Sequence, residues 1–191
     1  MAVCKSAMLA VGLGVLALPV LAAPVDYILQ PDVSIVGFET DFGPDHITGK
    51  MPITRADLTL DFDAVNKSTI AVTLDASSAE ASFPFAAQAM KGPKVLDTGT
   101  HPQITFQSTS IKKAGDGARV EGNLTLRGVT QKVVLMASIW RQSGSEITDL
   151  SHLSIRLTGV VKRSAFGATG WSDMVSDEVR LDILARIAQV N

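Results

Sequence analysis

Reactive side chains are scarce in this sequence. There is one cysteine, Cys4, in 191 residues, and the three histidines, His46, His101 and His152, lie far apart. A lone thiol excludes an internal disulfide, and its place in an N-terminal segment read below as a removable leader excludes thiol catalysis and dithiol redox chemistry in what remains. An excess of either charge is also lacking. The 17 basic and 19 acidic residues give a formal net charge of −2, without the basic bias that nucleic-acid binding needs.

Catalytic signatures are missing as well. No Gly-x-Ser-x-Gly elbow, phosphate-binding loop or dinucleotide fingerprint occurs, and Gly12 and Gly14 belong to the N-terminal apolar segment. None of His46, His101 and His152 has a second ligand at the spacing of a known zinc site. A metal site, or a hydrolase built on these residues, would require the three to converge in space, and neither a metal nor a cofactor is assigned. Asp61 and Asp63 share a strand face opposite Phe62, which places both carboxylates in solvent, without the burial that a general acid/base pair needs.

What is present begins with an export signal. Lys5 is the only charged residue before Asp26, the stretch from Ala7 to Leu21 is apolar, and Ala22 and Ala23 are small. Val20 and Ala22 fit the two small-residue positions of a cleavage site, whereas a cut one residue later would put Pro24 directly after the scissile bond. Residues 1–22 are therefore expected to be a secretory signal cleaved after Ala22, leaving one domain over residues 23–191. Pro19 and the short apolar core weigh against a retained anchor. Cys4 precedes the apolar stretch and so cannot become the modified first residue of a lipoprotein. Export without cysteine points to a Gram-negative periplasm, and the mature chain is long enough to bury a core without covalent cross-links.

Beyond the leader the dominant signal is a period of two. Leu58, Leu60 and Phe62 alternate with polar residues, as do Ile70, Val72 and Leu74, Ile104 and Phe106, Leu124 and Leu126, Leu153, Ile155 and Leu157, and Val179, Leu181 and Ile183. With Ser34 to Phe42 and Gln131 to Arg141, at least eight strands follow. Gly43-Pro44-Asp45, Asn66-Lys67-Ser68, Gly115-Asp116-Gly117 and Gly128-Val129-Thr130 supply turns too short for crossover helices, so neighbouring strands are antiparallel. The pattern leaves a sandwich and a closed barrel open, and a barrel of about eight strands has room for one small ligand.

Two stretches depart from alternation. Ser82 to Pro102 contains Phe83, Phe85, Ala86, Ala87, Ala89 and Met90 before Gly92-Pro93, predicting a short apolar helix near Phe85 to Lys91 that either lids a cavity or closes one end of the core. Gln131 to Trp140 carries apolar residues on both faces. Both faces need a cover, and packing by the chain's own helix is the expectation, with a neighbouring subunit or an end of the cavity as the alternatives.

Three blocks resemble the YceI-like family: His101-Pro102-Gln103-Ile104-Thr105-Phe106-Gln107-Ser108-Thr109, then Val120-Glu121-Gly122-Asn123-Leu124-Thr125-Leu126-Arg127-Gly128-Val129-Thr130-Gln131-Lys132-Val133-Val134-Leu135, and Arg163-Ser164-Ala165-Phe166-Gly167. The resemblance runs from Tyr27 to the last strand. It implies an all-β, lipocalin-like antiparallel barrel of about eight strands, with a short helix in a long connection. It further implies a periplasmic, non-enzymatic protein holding a long-chain isoprenoid, a quinone-like molecule or another amphiphilic lipid. Family members carry a histidine where this chain has Asp41-Phe42-Gly43, and an Arg-Asp pair with a His-Leu-Lys-Ser-like segment where it has Phe83 to Lys94. The headgroup contacts of those positions do not transfer, and the replacement is more apolar.

On this reading Phe38, Phe62, Phe106, Leu126 and Phe166 form the inner wall, Phe85, Met90, Trp140 and Trp171 the lid or mouth, and Arg163 grips a headgroup at the rim. The alternative function is an interaction module with a filled interior, docking on a membrane b-type cytochrome or another envelope protein. A homodimer stays open.

Overall fold

Alternating strands leave hydrogen-bonding edges that must be paired, and this chain pairs them by closing its sheet on itself. The computed structural model describes residues 23–141, 146 and 149–190, so the expected leader lies outside the described residues. The strands are β1 (Val25–Leu29), β2 (Ile35–Phe42), β3 (Asp45–Met51), β4 (Ile53–Leu60), β5 (Thr69–Asp75), β6 (Glu80–Ala81), β7 (Gln103–Ala114), β8 (Gly117–Leu126), β9 (Val129–Arg141), β10 (His152–Lys162) and β11 (Val175–Gln189), with one helix, α1 (Pro84–Lys91). Neighbours run β1-β4-β5-β7-β8-β9-β10-β11, and a β1–β11 pairing closes this ring of eight strands. Every pairing is antiparallel, as the short turns required.

Three positions around the ring are made of two pieces. The first part of β11 pairs with β2 and its last residues pair with β1, the two being offset by a 3₁₀ turn at Pro31–Val33. Pro52, which has no N–H to donate, separates β3 from β4. Asp75 N–H donates to the Pro52 carbonyl at 3.0 Å, so the acceptor side of that break is still used. β6 pairs with β3 alone and stands at the sheet's edge. The reading of alternation had not separated out β1, β3 or β6.

The turns set two ends. Connections 61–68 and 115–116 lie at one end, which we call the floor; 43–44, 76–102, 127–128 and 163–174 lie at the other. Arg127 and Gly128 make the tight β8–β9 turn with φ of 54° and 73°, the left-handed pair that matches hairpin twist. Helix α1 begins with Pro84 at its first turn and stops at Gly92, where the sequence predicted it.

Inward side chains form several clusters around a hollow. Tyr27, Leu60, Leu153 and Ile187 pack near the floor, with Phe62 edge-on to the Tyr27 ring at 5.9 Å. Ile111, Val120 and Leu135 form the lower wall; Val133, Val161 and Phe166 pack higher up. Ala76, Leu96 and Ile104 anchor the segment that follows α1. Full burial of Ile187, Val120 and Phe166 stabilises the fold by roughly 1.5–3 kcal/mol each.

Two expectations about the wall fail. Val133, Leu135, Ala137 and Ile139 of β9 face inward, so Trp140 points outward and is 62% exposed, its indole N–H donating to Ser138 Oγ at 3.3 Å. Trp140 belongs to neither lid nor mouth. Nor does α1 cover the outer face of β9: it lies over one end of the barrel, and Val134 and Met136 remain exposed.

Candidate functional site

Because each strand turns one row of Leu, Ile, Val and Phe inward and the core packs as a ring, the barrel encloses a cavity of about 830 Å³. Its size lies toward the upper part of the usual range for ligand pockets. Phe38, Phe106 and Leu126 line it from the strands. Phe62 lines the floor from just beyond β4, and Phe166 lines the opposite end from the 3₁₀ turn Arg163–Phe166. Phe85, Ala86, Ala89 and Met90 of α1, on one helical face, complete the lining with Trp171. All the expected wall and mouth residues except Trp140 therefore meet around one space.

Polar groups along this lining are few and mostly spent. Thr40 Oγ1 donates to the Glu178 carbonyl at 3.0 Å. Ser68 Oγ accepts the Asp61 N–H at 2.9 Å. Arg163, expected at the rim, is only 8% exposed: its Nε donates to the Ser176 carbonyl, Nη1 to Ala168 and Gly170, and Nη2 to Val175, at 2.7–2.9 Å. Four of the five N–H groups of a guanidinium are thereby committed to backbone. Burial lowers its pKa from the ordinary arginine value, and the nearby Asp177 charge opposes that shift. Arg163 thus frames the β10–β11 connection and does not present a fork to a headgroup.

Asp61 also corrects the sequence reading. It is 5% exposed and lines the cavity floor, while Asp63 is exposed. Its Oδ1 accepts the N–H groups of Asp63 at 3.0 Å and Ala64 at 2.6 Å, tying the β4–β5 connection. Oδ2 is buried with no partner.

The mouth is stapled shut on one side. Gly170 N–H donates to the Lys94 carbonyl at 2.9 Å, and Arg127 Nη1 donates to the carbonyls of Pro93 and Val95. Ser164 is held by Asp177 through its N–H and its hydroxyl, both at 2.8 Å. Trp171 has φ of 52°, an unusual conformation for so bulky a residue.

The histidines do not form one cluster. His46 lies on β3 and His101 just before β7, both at the α1 end, whereas His152 begins β10 at the floor end. His46 Nδ1 is 2.8 Å from Asp41 Oδ1 on the outer surface. Among the described residues, Glu39, Asp41 and His46 have ligand-type atoms within 4.8 Å of one another, outside the barrel. Arg180 already sits between Glu39 and Asp41 and holds the Asp41 carboxyl below its usual range. That arrangement is an ion-pair network on the sheet surface.

Residues missed by the sequence reading are chiefly Asp61, Ser68 and the rim side chains Phe42 and Met174. The two rim residues flank strand ends, where alternation fades. Only the apolar residue at each boundary signalled them.

Comparison with known proteins agrees with this architecture. The model of the YceI-like domain matches residues 27–187. Protein YceI of Salmonella arizonae is 33% identical over 129 residues, which cover 66% of this chain and 67% of that protein. The crystal structure of Burkholderia cenocepacia BcnA superposes with a TM-score of 0.74 at 21% identity, over 83% of this chain and 99% of that one. A Campylobacter jejuni YceI protein gives 0.60 at 22% identity, over 74% and 85%. With a closed eight-stranded antiparallel barrel, a single short helix at its mouth and a family match spanning nearly all the described residues, this chain belongs to the YceI-like family.

Proposed function

We propose that this protein is a periplasmic, non-enzymatic carrier that holds one long apolar amphiphile, an isoprenoid or quinone-like lipid, inside its barrel. The observation that carries the reading is the cavity of about 830 Å³ inside the barrel, with its almost wholly apolar lining. Each methylene moved from water into such a space contributes about 0.8 kcal/mol, so a long tail gains affinity without a charged partner. With Arg163 committed to backbone carbonyls, the tail supplies the affinity. Support for the periplasm comes from the features of residues 1–22, Lys5 followed by an apolar run and small residues. The hollow interior removes the main reason for preferring an interaction module with a filled core.

The test is titration of fluorescent prenyl alcohol and prenyl phosphate probes into protein stripped of bound lipid. The folded wild type should bind them, and Phe106→Asp, which puts a carboxylate on the cavity wall, should abolish binding once circular dichroism has shown that it folds. Absence of binding by the wild type to either probe and to a quinone would instead favour the envelope-protein docking role. Native mass spectrometry of protein taken from its own periplasm would identify the occupant.

A further inference from the structure

Fourteen large apolar residues are exposed among those described, and five of them, Phe42, Phe83, Phe85, Trp171 and Met174, also line the cavity. All five stand at the α1 end, although three separate segments supply them. Phe85 is 75% exposed, a large cost for an aromatic ring with no structural duty on the outside. Scattered apolar residues are ordinary on a protein surface, but a rim continuous with an apolar interior is not.

The charges near this rim are unevenly divided. From Ala81 through Leu96 the only charged side chains are Lys91 and Lys94, both following the aromatic tip; acids flank this stretch at Glu80, which pairs with Lys50, and at Asp97, and Asp45 and Asp173 stand on the other two segments. An uncharged aromatic tip beside a cationic shoulder complements a phospholipid surface, where acyl chains lie beneath a layer of phosphates. No helix among the described residues is long and apolar enough to cross a membrane, and α1 has eight residues, so contact through it would be peripheral.

We propose that the α1 edge of the mouth docks on a phospholipid surface, Phe83 and Phe85 entering the acyl boundary while Lys91 and Lys94 meet the phosphates. Docked this way, the cavity opens toward hydrocarbon, and an apolar molecule passes between barrel and bilayer without crossing water. The surface contact itself does not depend on which molecule the barrel holds.

Vesicles of phosphatidylcholine, with and without phosphatidylglycerol, test the proposal with the purified protein. In a Trp140→Phe background Trp171 is the only tryptophan left, and its emission should shift to the blue and be quenched by brominated acyl chains. Flotation should show Phe85→Ser binding about tenfold more weakly to both vesicle types. The pair Lys91→Gln and Lys94→Gln should lose about fivefold per lysine on the anionic vesicles and little on the neutral ones. Prenyl-alcohol binding by the lysine pair in detergent-free buffer, expected at the wild-type level because neither lysine lines the cavity, separates loss of docking from loss of the cavity. The proposal is overturned if the protein floats with neither vesicle type, if Phe85→Ser floats as well as the wild type, or if light scattering finds a dimer that persists when vesicles are present and that Phe85→Ser converts to a monomer.

Discussion

The Phe106 ring lies across Gly122 of the neighbouring strand: a Cβ built on that glycine would stand 2.4 Å from both Cε2 and Cζ of the ring. The Gln107 carbonyl would be only 2.6 Å away, so backbone as well as ring would resist the added atom. Glycine lets a large side chain lie along the wall where a residue with a Cβ would push it toward the lumen.

Gly122→Ala should therefore destabilise the protein by about 1–3 kcal/mol, the usual cost of overpacking a well-filled site. It should also weaken binding of the longer prenyl probes more than the shorter ones. Urea unfolding and a probe-length series measure the two effects, and an alanine variant with unchanged stability would refute the close approach.

Arg163→Ala removes four donations to backbone carbonyls at once. The expected loss is about 2–4 kcal/mol of stability, since the carbonyls of Ala168 and Gly170 lose a charged donor at the end of the barrel. Because the side chain frames the connection, neutral and anionic probes should be affected alike. Selective loss of the prenyl phosphate would return Arg163 to a headgroup role.

Asp61→Ala and Asp61→Asn should differ. The alanine leaves the Asp63 and Ala64 amides without their acceptor, costing about 1–3 kcal/mol, whereas asparagine keeps a carbonyl oxygen at Oδ1 and stays close to wild type. Thermal denaturation of the two variants side by side decides whether the turn bonds matter.

Several carboxylates lie below their ordinary pKa of 3.8: Asp177 through the Ser164 N–H, Asp182 through Arg156 and Asp41 through Arg180. A carboxyl depressed in the native state takes up its proton more readily when unfolded, so its contribution is present above the unfolded pKa and is lost as pH falls through the folded one. The unfolding midpoint should be level from about pH 8 to about pH 5 and fall below about pH 4. Asp177→Asn should make that acid limb shallower, and an unchanged limb would show that the Ser164 clamp contributes nothing there.

Much of the wall was legible because alternation is local. Leu124 and Leu126, or Leu153, Ile155 and Leu157, can face inward only together. The helix was legible from an apolar run cut off by Gly92-Pro93. Trp140 was not, because β9 carries apolar residues in both registers and only the closed ring shows that Val133 and Leu135 hold the inner one. Asp61 was misread for a similar reason: Asp-Phe-Asp-Ala looks the same whether its turn faces water or seals a floor. The carbonyls that occupy the Arg163 guanidinium lie up to thirteen residues away along the chain, beyond the reach of any local pattern.

The break beside β6 determines where the wall can yield. Around the rest of the ring every change of girth must pull apart a ladder of paired amides and carbonyls, as in the long β10–β11 pairing. β6 offers no such ladder to β7; above a last backbone bond from the Ala76 N–H to the Pro102 carbonyl at 2.8 Å, the gap is filled by α1, Leu96 and their apolar contacts. Compliance is therefore concentrated at the mouth, above the point where the β5–β7 ladder begins at Asp75 and Gln103, so a thicker occupant can be admitted there by parting greasy contacts, with the hydrogen-bonded hoop below left whole.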